Sequence, residues 1–249
     1  MFFSIKYLYH IKFVLFTMIR KAVIMAAGKG VRMMPLTKLV PKPLIHINGK
    51  PFLYHLLIRL KKAGYSDYAI IVGHKGSKVK SFLQEYGFKA RLIHQDKRLG
   101  TAHALKLASK FTGHDQFIAL GGDSLWSVPD LRKISKDDKL SYVATTKVKD
   151  WKRYGIIVEK KGYLSRIVEK PKKFVGNQIN TGLYKFTPEI YDAIAKIGKS
   201  SRGEYELTDA LTLLAKGKKI RTVKCQDAWI DMGCPEDIPL IDNYLKGAR

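Results

Sequence analysis

The chain has 249 residues, 46% of them hydrophobic, and carries 46 Lys or Arg against 21 Asp or Glu, a formal net charge of +25. That length and apolar fraction suffice to bury one large α/β core or two small ones, and no internal repeat, low-complexity tract or Gly/Pro/Ser-rich linker divides the sequence. The two cysteines, Cys225 and Cys234, match neither a C-x-x-C redox pair nor a zinc spacing, so packed thiols and a cytoplasmic home are expected.

The positive charge is uneven, since residues 1–66 hold twelve Lys or Arg and no acid. A cationic surface speeds capture of phosphorylated ligands, but a few cations suffice for that, and the remainder reads as a Lys-rich solvent-facing surface. No aromatic-rich basic stretch, zinc module or recognition-helix pattern accompanies the charge, so a nucleic-acid partner is not expected.

In chain order, residues 1–17 come first as an extension, with residues 18–249 forming a single globular domain. Twelve of the seventeen are apolar or aromatic, but Lys6, His10 and Lys12 interrupt the run, which is too short to span a bilayer and lacks a signal-peptide cleavage site. The first reading is a misassigned start upstream of Met18; a surface-seeking membrane anchor is the alternative. Ala22 to Met25 then read as a central strand. Short apolar runs at Tyr68 to Gly73, Ala90 to Gln95 and Gln116 to Gly122 follow, each ending in polar or glycine punctuation. Amphipathic stretches at Pro51 to Ala63, Gly76 to Tyr86 and Thr101 to Phe111 carry helical spacing. Such alternation predicts an α/β fold with a mostly parallel sheet covered on both faces and ligands at the carboxyl ends of its strands. After Val148, two strands joined by Lys160-Lys161-Gly162 read as a hairpin. Helical patterns return at Pro188 to Ile197, Glu206 to Lys216 and Pro235 to Tyr244.

The loop after the first strand carries the chemistry. After Met25, itself a candidate nucleotide contact, Ala26, Ala27, Gly28 and Gly30 leave the backbone almost bare, so N–H groups can close on phosphate oxygens. Arg32 and Lys42 add a planar fork and a point charge, two complementary ways to hold phosphate. Neither common phosphate motif fits. A P-loop needs four residues between its glycines and then Gly-Lys-Ser/Thr. A dinucleotide fingerprint needs a third glycine where Met33 stands, and an acid about 20 residues on, yet no Asp or Glu occurs before Asp67.

The stretch KAVIMAAGKGVRMMPLTKLVPKP (Lys21 to Pro43) resembles the signature of the sugar-phosphate nucleotidylyltransferases, the NDP-sugar pyrophosphorylases, among them glucose-1-phosphate thymidylyltransferases and UTP-dependent uridylyltransferases. The resemblance continues through His94-Gln95 and LGTAHAL (Leu99 to Leu105), GGDSL (Gly121 to Leu125) and Tyr154-Gly155. It then takes in IVEKP (Ile167 to Pro171), NTGLY (Asn180 to Tyr184), RGEYELTDAL (Arg202 to Leu211) and WIDMGCPEDI (Trp229 to Ile238), all in the family's order. It implies a Rossmann-like, GT-A-like nucleotide-diphospho-sugar transferase fold. The implied reaction moves a nucleotidyl group from an NTP, UTP or dTTP preferred, to a sugar 1-phosphate, with release of pyrophosphate.

By the same resemblance, Asp123 and Asp231 hold Mg²⁺, Arg32 grips the β- and γ-phosphates, and Lys42 meets the α-phosphate. Gln95, with Gly100 and Thr101 beside it, reads the base. Glu169 and Asn180 bind sugar hydroxyls, Gly155 gives close backbone approach, and Lys170 faces the sugar phosphate. Structural alternatives stand beside these roles: Asp123 as cap of a helix near Val128, Asp231 as a brace for the turn before Gly233, and Glu169-Lys170 as an ordinary surface pair. His103 is read as a packing residue on a helix face. No hexapeptide-repeat pattern follows the motifs, so no appended β-helix is expected. Guanylyl or cytidylyl transfer, a non-sugar acceptor and a non-catalytic sensor subunit remain alternatives, and homo-oligomerisation is left open.

Overall fold

The structure, a computed structural model, describes residues 19–247. Both readings of residues 1–17 therefore lie outside the described residues.

The first strand, β1 (Lys21–Ala26), is central because it is apolar on both sides: Ala22, Val23 and Ile24 are fully buried. Strand alternation sends Ala22 and Ile24 to one face and Val23 to the other, each into its own hydrophobic cluster. After the glycine loop, a small hairpin, β2 (His46–Ile47) with β3 (Lys50–Pro51), leads into α1 (Phe52–Ala63). Phe52, Leu53, Leu56, Leu57 and Leu60 form one buried stripe of α1, and Gly64 closes the helix by donating its N–H to the carbonyls of Leu60 and Lys61.

β4 (Asp67–Val72), α2 (Gly76–Glu85), β5 (Arg91–His94), α3 (Thr101–Leu107), α4 (Ser109–Thr112) and β6 (Phe117–Gly121) complete the first half. The single helix expected over Thr101 to Phe111 is thus divided at Ala108, whose N–H bonds Leu105 O in a tighter turn. β7 (Ser124–Leu125), α5 (Val128–Ile134) and β8 (Ser141–Lys147) lead into the expected hairpin of β9 (Gly155–Lys160) and β10 (Tyr163–Glu169). Then come β11 (Gln178–Phe186), α6 (Glu189–Lys196), α7 (Leu207–Lys216), β12 (Ile220–Lys224), β13 (Ile230–Asp231) and α8 (Ile238–Gly247).

Nine strands make one sheet in the order β5-β4-β1-β6-β11-β8-β12-β10-β9, with a further β11 to β9 pairing. The first four are parallel. From β11 onward most neighbours are antiparallel, with β8 and β12 the parallel exception. The result is a mixed α/β sheet with helices on both faces, as expected, and β8, β11 and β12 are strands that the apolar pattern had not marked. β8 and β11 bury Thr145, Thr181 and Lys185, polar residues that interrupt the hydrophobic run. Each has partners within the protein: Thr145 Oγ1 accepts from Gln178 Nε2 at 3.2 Å, and Thr181 Oγ1 donates to Ala144 O at 3.0 Å and accepts from Trp126 Nε1 at 3.2 Å. Lys185 Nζ donates to the carbonyls of Asp138 and Leu140, both at 2.7 Å.

Candidate active site

The parallel strands end together, and their carboxyl ends open on a cavity of about 810 Å³. The side next to the glycine loop is backbone-rich. Met25, Ala26, Ala27 and Gly28 line it, and a Cβ placed on Gly28 would meet nothing within 4 Å, so the peptide groups there face open space. Gly30 does not line the cavity. It takes φ 63°, and a Cβ there would press on Thr37 at 2.8 Å and on Lys42 at 3.2 Å. Thr37 Oγ1 donates to Gly30 O at 2.8 Å, folding the loop back so that buried Lys42 is delivered into the cavity.

Lys42 Nζ sits 2.5 Å from Asp123 Oδ2, and both residues line the cavity. Asp231 reaches them through a short antiparallel bridge, in which β13 pairs with β7 and places Asp231 opposite Ser124, 107 residues away in sequence. Ser124 Oγ donates to Asp231 Oδ1 at 3.1 Å, and Met232 N–H donates to Asp123 O at 2.9 Å. Burial first, and the Asp123 charge second, push the Asp231 carboxyl up to about 6, while Lys42 and the Ser124 hydroxyl pull it down. The approach to β13 is fixed by Asp130. That buried carboxylate accepts from the N–H groups of Gln226 at 2.8 Å and Asp227 at 3.2 Å, tying α5 to the segment that leads to Asp231.

The structural alternatives for the two acids fall to other residues. Ser127 caps α5, accepting from Asp130 N–H at 3.1 Å. Asp237 holds the turn at Gly233, accepting its N–H at 2.6 Å and that of Cys234 at 2.8 Å. Asp123 carries the ion pair with Lys42, Asp231 feels the charges of both, and two carboxylates against one ammonium leave a surplus of negative charge. That donor set fits a hard divalent cation that binds one or two carboxylates and keeps other positions for phosphate and water. No group of three or more His, Cys, Asp or Glu side chains forms a closed metal cage among the described residues.

Gln95 is buried at the tip of β5 and lines the cavity beside Gly100 and Thr101. Gly100 adopts φ 102°, and a Cβ there would collide with the Tyr205 backbone. Ala102 N–H donates to Tyr205 O at 3.0 Å, Tyr205 N–H to Leu99 O at 2.7 Å, and Leu207 N–H to Thr101 Oγ1 at 3.0 Å. The Gly100 turn and the Glu204 to Leu207 segment are therefore one clamped unit.

On the opposite side, Glu169 and Asn180 line the cavity. Gly155 lies beneath Glu169: a Cβ there would sit 2.9 Å from Glu169 Oε2, so the glycine makes room for the carboxylate rather than lining the cavity itself. Asn180 is anchored by donating to Tyr184 Oη at 2.7 Å and accepting from Gly182 N–H at 3.0 Å. Burial pushes the Tyr184 phenol up to about 12, so it is a neutral partner there.

Five expected residues stand outside the lining: Gly30, Arg32, Gly155, Lys170 and Asp231. Arg32 is exposed on the turn Val31–Met33, and Lys170 is exposed with φ 41°, its N–H donating to Tyr154 O at 3.2 Å. Several lining residues carried no individual expectation: the cations Lys29, Arg98 and Arg202, and the acids Glu204 and Glu206. The last three belong to the RGEYEL block, whose membership in the motif series was the available signal. Both thiols are free; burial pushes that of Cys225 up to about 12, in keeping with a packed thiol, whereas Cys234 is only partly buried. No helix among the described residues is long and apolar enough to cross a membrane.

A family model described as nucleotidyl transferase matches residues 21–245. The chain belongs to the nucleotidyl transferase family. It is an enzyme of the nucleotidyltransferase class, and the resemblance carried by its motifs is borne out. It is 34% identical over 227 residues to UTP–glucose-1-phosphate uridylyltransferase AglF of Haloferax volcanii, covering 87% of this chain and 93% of that one. Against the bifunctional protein GlmU of Methanocaldococcus jannaschii it is 35% identical over 225 residues, a match that spans 90% of this chain but 54% of the relative. Among solved structures it is similar to a Bacillus anthracis protein assigned as a glucose-1-phosphate thymidylyltransferase, with TM-score 0.81 and 29% identity over 90% of this chain and 94% of that one. A UDP-glucose pyrophosphorylase shares the fold at TM-score 0.82 and 24% identity, covering 93% of this chain and all of that one.

Proposed function

We propose that the protein transfers a nucleotidyl group from UTP or dTTP to a sugar 1-phosphate, releasing pyrophosphate. The observation that carries this reading is the convergence of Lys42, Asp123 and Asp231, from three separate stretches of chain, between a bare glycine loop and a polar pocket. A sugar 1-phosphate is already an anionic nucleophile, so no general base is required. One of its phosphate oxygens bonds to the α-phosphorus, the bond from that phosphorus to the bridging oxygen breaks, and pyrophosphate leaves with the electron pair. The obstacle is repulsion between two anions, which alignment and fixed positive charge overcome.

In this scheme the N–H groups of residues 25–28 and the Lys29 side chain hold the triphosphate. Lys42 transfers its hydrogen bonding from Asp123 to the α-phosphate as charge builds there. Asp123 and Asp231 would hold Mg²⁺, which supplies Lewis-acid neutralisation of the phosphate oxygens when bound. Arg32 grips the β- and γ-phosphates, which requires the turn Val31–Met33 to fold over the triphosphate. Gln95, Gly100 and Thr101 receive the base. Glu169 and Asn180 meet sugar hydroxyls, and Lys170 approaches the sugar phosphate from the rim. The substrates and free thiols suit the cytoplasm.

The test is a matrix of nucleoside triphosphates crossed with sugar 1-phosphates, read by pyrophosphate release with Mg²⁺. Turnover with UTP or dTTP and at least one sugar, abolished by chelation, is expected. No turnover with any pair would remove the catalytic reading in favour of a sensor.

A further inference from the structure

The Gln95 amide is held by more than its own backbone. Its Nε2 donates to Gly100 O at 3.2 Å and lies 3.0 Å from His103 Nδ1. A peptide carbonyl can only accept, so the amide end facing Gly100 must be the NH₂ group. The second amide proton then points at His103 Nδ1, which must carry a lone pair, placing the ring proton on Nε2. Burial first, and the neighbouring Lys106 second, lower the His103 pKa and favour that neutral ring. Both amide protons are thus consumed by the protein. Only Oε1 remains to face the cavity, and it has no hydrogen-bond donor among the described residues.

We infer that His103 is a specificity-positioning residue, fixing Gln95 so that it presents an acceptor alone and thereby favours a uracil or thymine base over cytosine. The inference rests on the UTP or dTTP reading and deepens it. A pyrimidine imide offers a central N–H to Oε1. Cytosine in the same pose offers a ring-nitrogen lone pair, so acceptor meets acceptor. An amide left to rotate would turn its NH₂ toward cytosine and recover that bond. Loss of the His103 acceptor also strands a buried amide proton, which weakens the orientation further. His103 touches no reacting atom in this scheme and acts only through Gln95.

The experiment compares kcat/KM for UTP with kcat/KM for CTP, using the sugar 1-phosphate chosen by the pyrophosphate-release matrix, in wild type, His103→Leu and His103→Asn. Asn places an acceptor oxygen close to the position of Nδ1. The UTP-to-CTP ratio should fall about tenfold in His103→Leu and return to within about threefold of wild type in His103→Asn. A general loss of stability lowers both rates and leaves the ratio alone. An unchanged ratio in His103→Leu, or equal losses in both variants, overturns the positioning role while the functional reading stands. Wild-type enzyme that uses neither UTP nor dTTP sinks the functional reading and the base-selecting role with it. A ¹⁵N spectrum of the His103 ring supplies a readout independent of turnover: the Nε2–H tautomer near neutral pH is expected, and an Nδ1–H tautomer would contradict the contact.

Discussion

The two halves of the sheet present ligands in different ways. The parallel half, β5-β4-β1-β6, offers strand tips and bare backbone, with Gly28 and its neighbours facing open space and few side chains committed. The mixed half, from β11 to β9, offers side chains seated against their neighbours: Glu169 over Gly155 and Asn180 against Tyr184. In the proposed reaction, backbone suits the triphosphate and side chains suit the acceptor. The proposed catalytic cluster lies at a seam, a separate two-stranded bridge in which β7, following β6 of the parallel half, pairs with β13, following β12 of the mixed half.

The largest expected effect lies on that seam. Asp123→Asn and Asp231→Asn should each lower kcat by roughly a thousandfold, with circular dichroism unchanged, whereas wild-type rates in either would separate the acids from catalysis. On the parallel side, Lys42→Met should lower kcat by roughly a hundredfold. Arg32→Ala should act mainly on KM for the triphosphate, since its side chain is exposed; an effect confined to kcat would mean it acts in the transition state. On the mixed side, Glu169→Gln should raise KM for the sugar 1-phosphate about tenfold and leave KM for the triphosphate alone. Equal changes in both constants would erase the division between halves.

A stability pair sharpens the same contrast. Leu57→Ala opens a cavity under the parallel half and should cost about 2–5 kcal/mol in urea unfolding. The mixed half contains an acid-sensitive site instead. At Asp138, burial raises the carboxyl pKa, but the Tyr142 hydroxyl, the Leu140 N–H and Lys185 outweigh it and leave the pKa below its ordinary value. A depressed folded pKa stabilises the fold above the unfolded carboxylate value, and that contribution disappears as pH falls through the lower folded value. Asp138→Asn should therefore flatten the loss of stability below about pH 4. An identical acid limb in wild type and variant would rule the site out. The effect is small because Asp138 is partly exposed and screened.

The same contrast governed how much could be read from the chain. The apolar β1 followed by small residues announced the phosphate loop, and Lys161-Gly162, both at positive φ, announced the hairpin. β8 and β11 stayed hidden because buried Thr145, Thr181 and Lys185 look like surface residues until their internal partners are seen. Gly30 carried a phosphate-loop pattern, yet its closeness to Thr37 and Lys42 is a packing property that no local pattern encodes. His103 occupied a plausible helix-packing position, and its bond to Gln95 depends on how β5 and α3 meet. The pairing of Asp123 with Asp231 was implied by motif resemblance, while the hydrogen bonds that bring them together belong to the tertiary fold.

Binding of Mn²⁺ as a paramagnetic substitute for Mg²⁺, followed by electron paramagnetic resonance in the presence of UTP, tests the seam most directly. Wild type should bind the ion with the nucleotide, and Asp123→Asn and Asp231→Asn should each weaken that binding by at least about tenfold. Unchanged affinity in Asp231→Asn would contradict the account, because the bridge from β13 would then contribute nothing to the metal site.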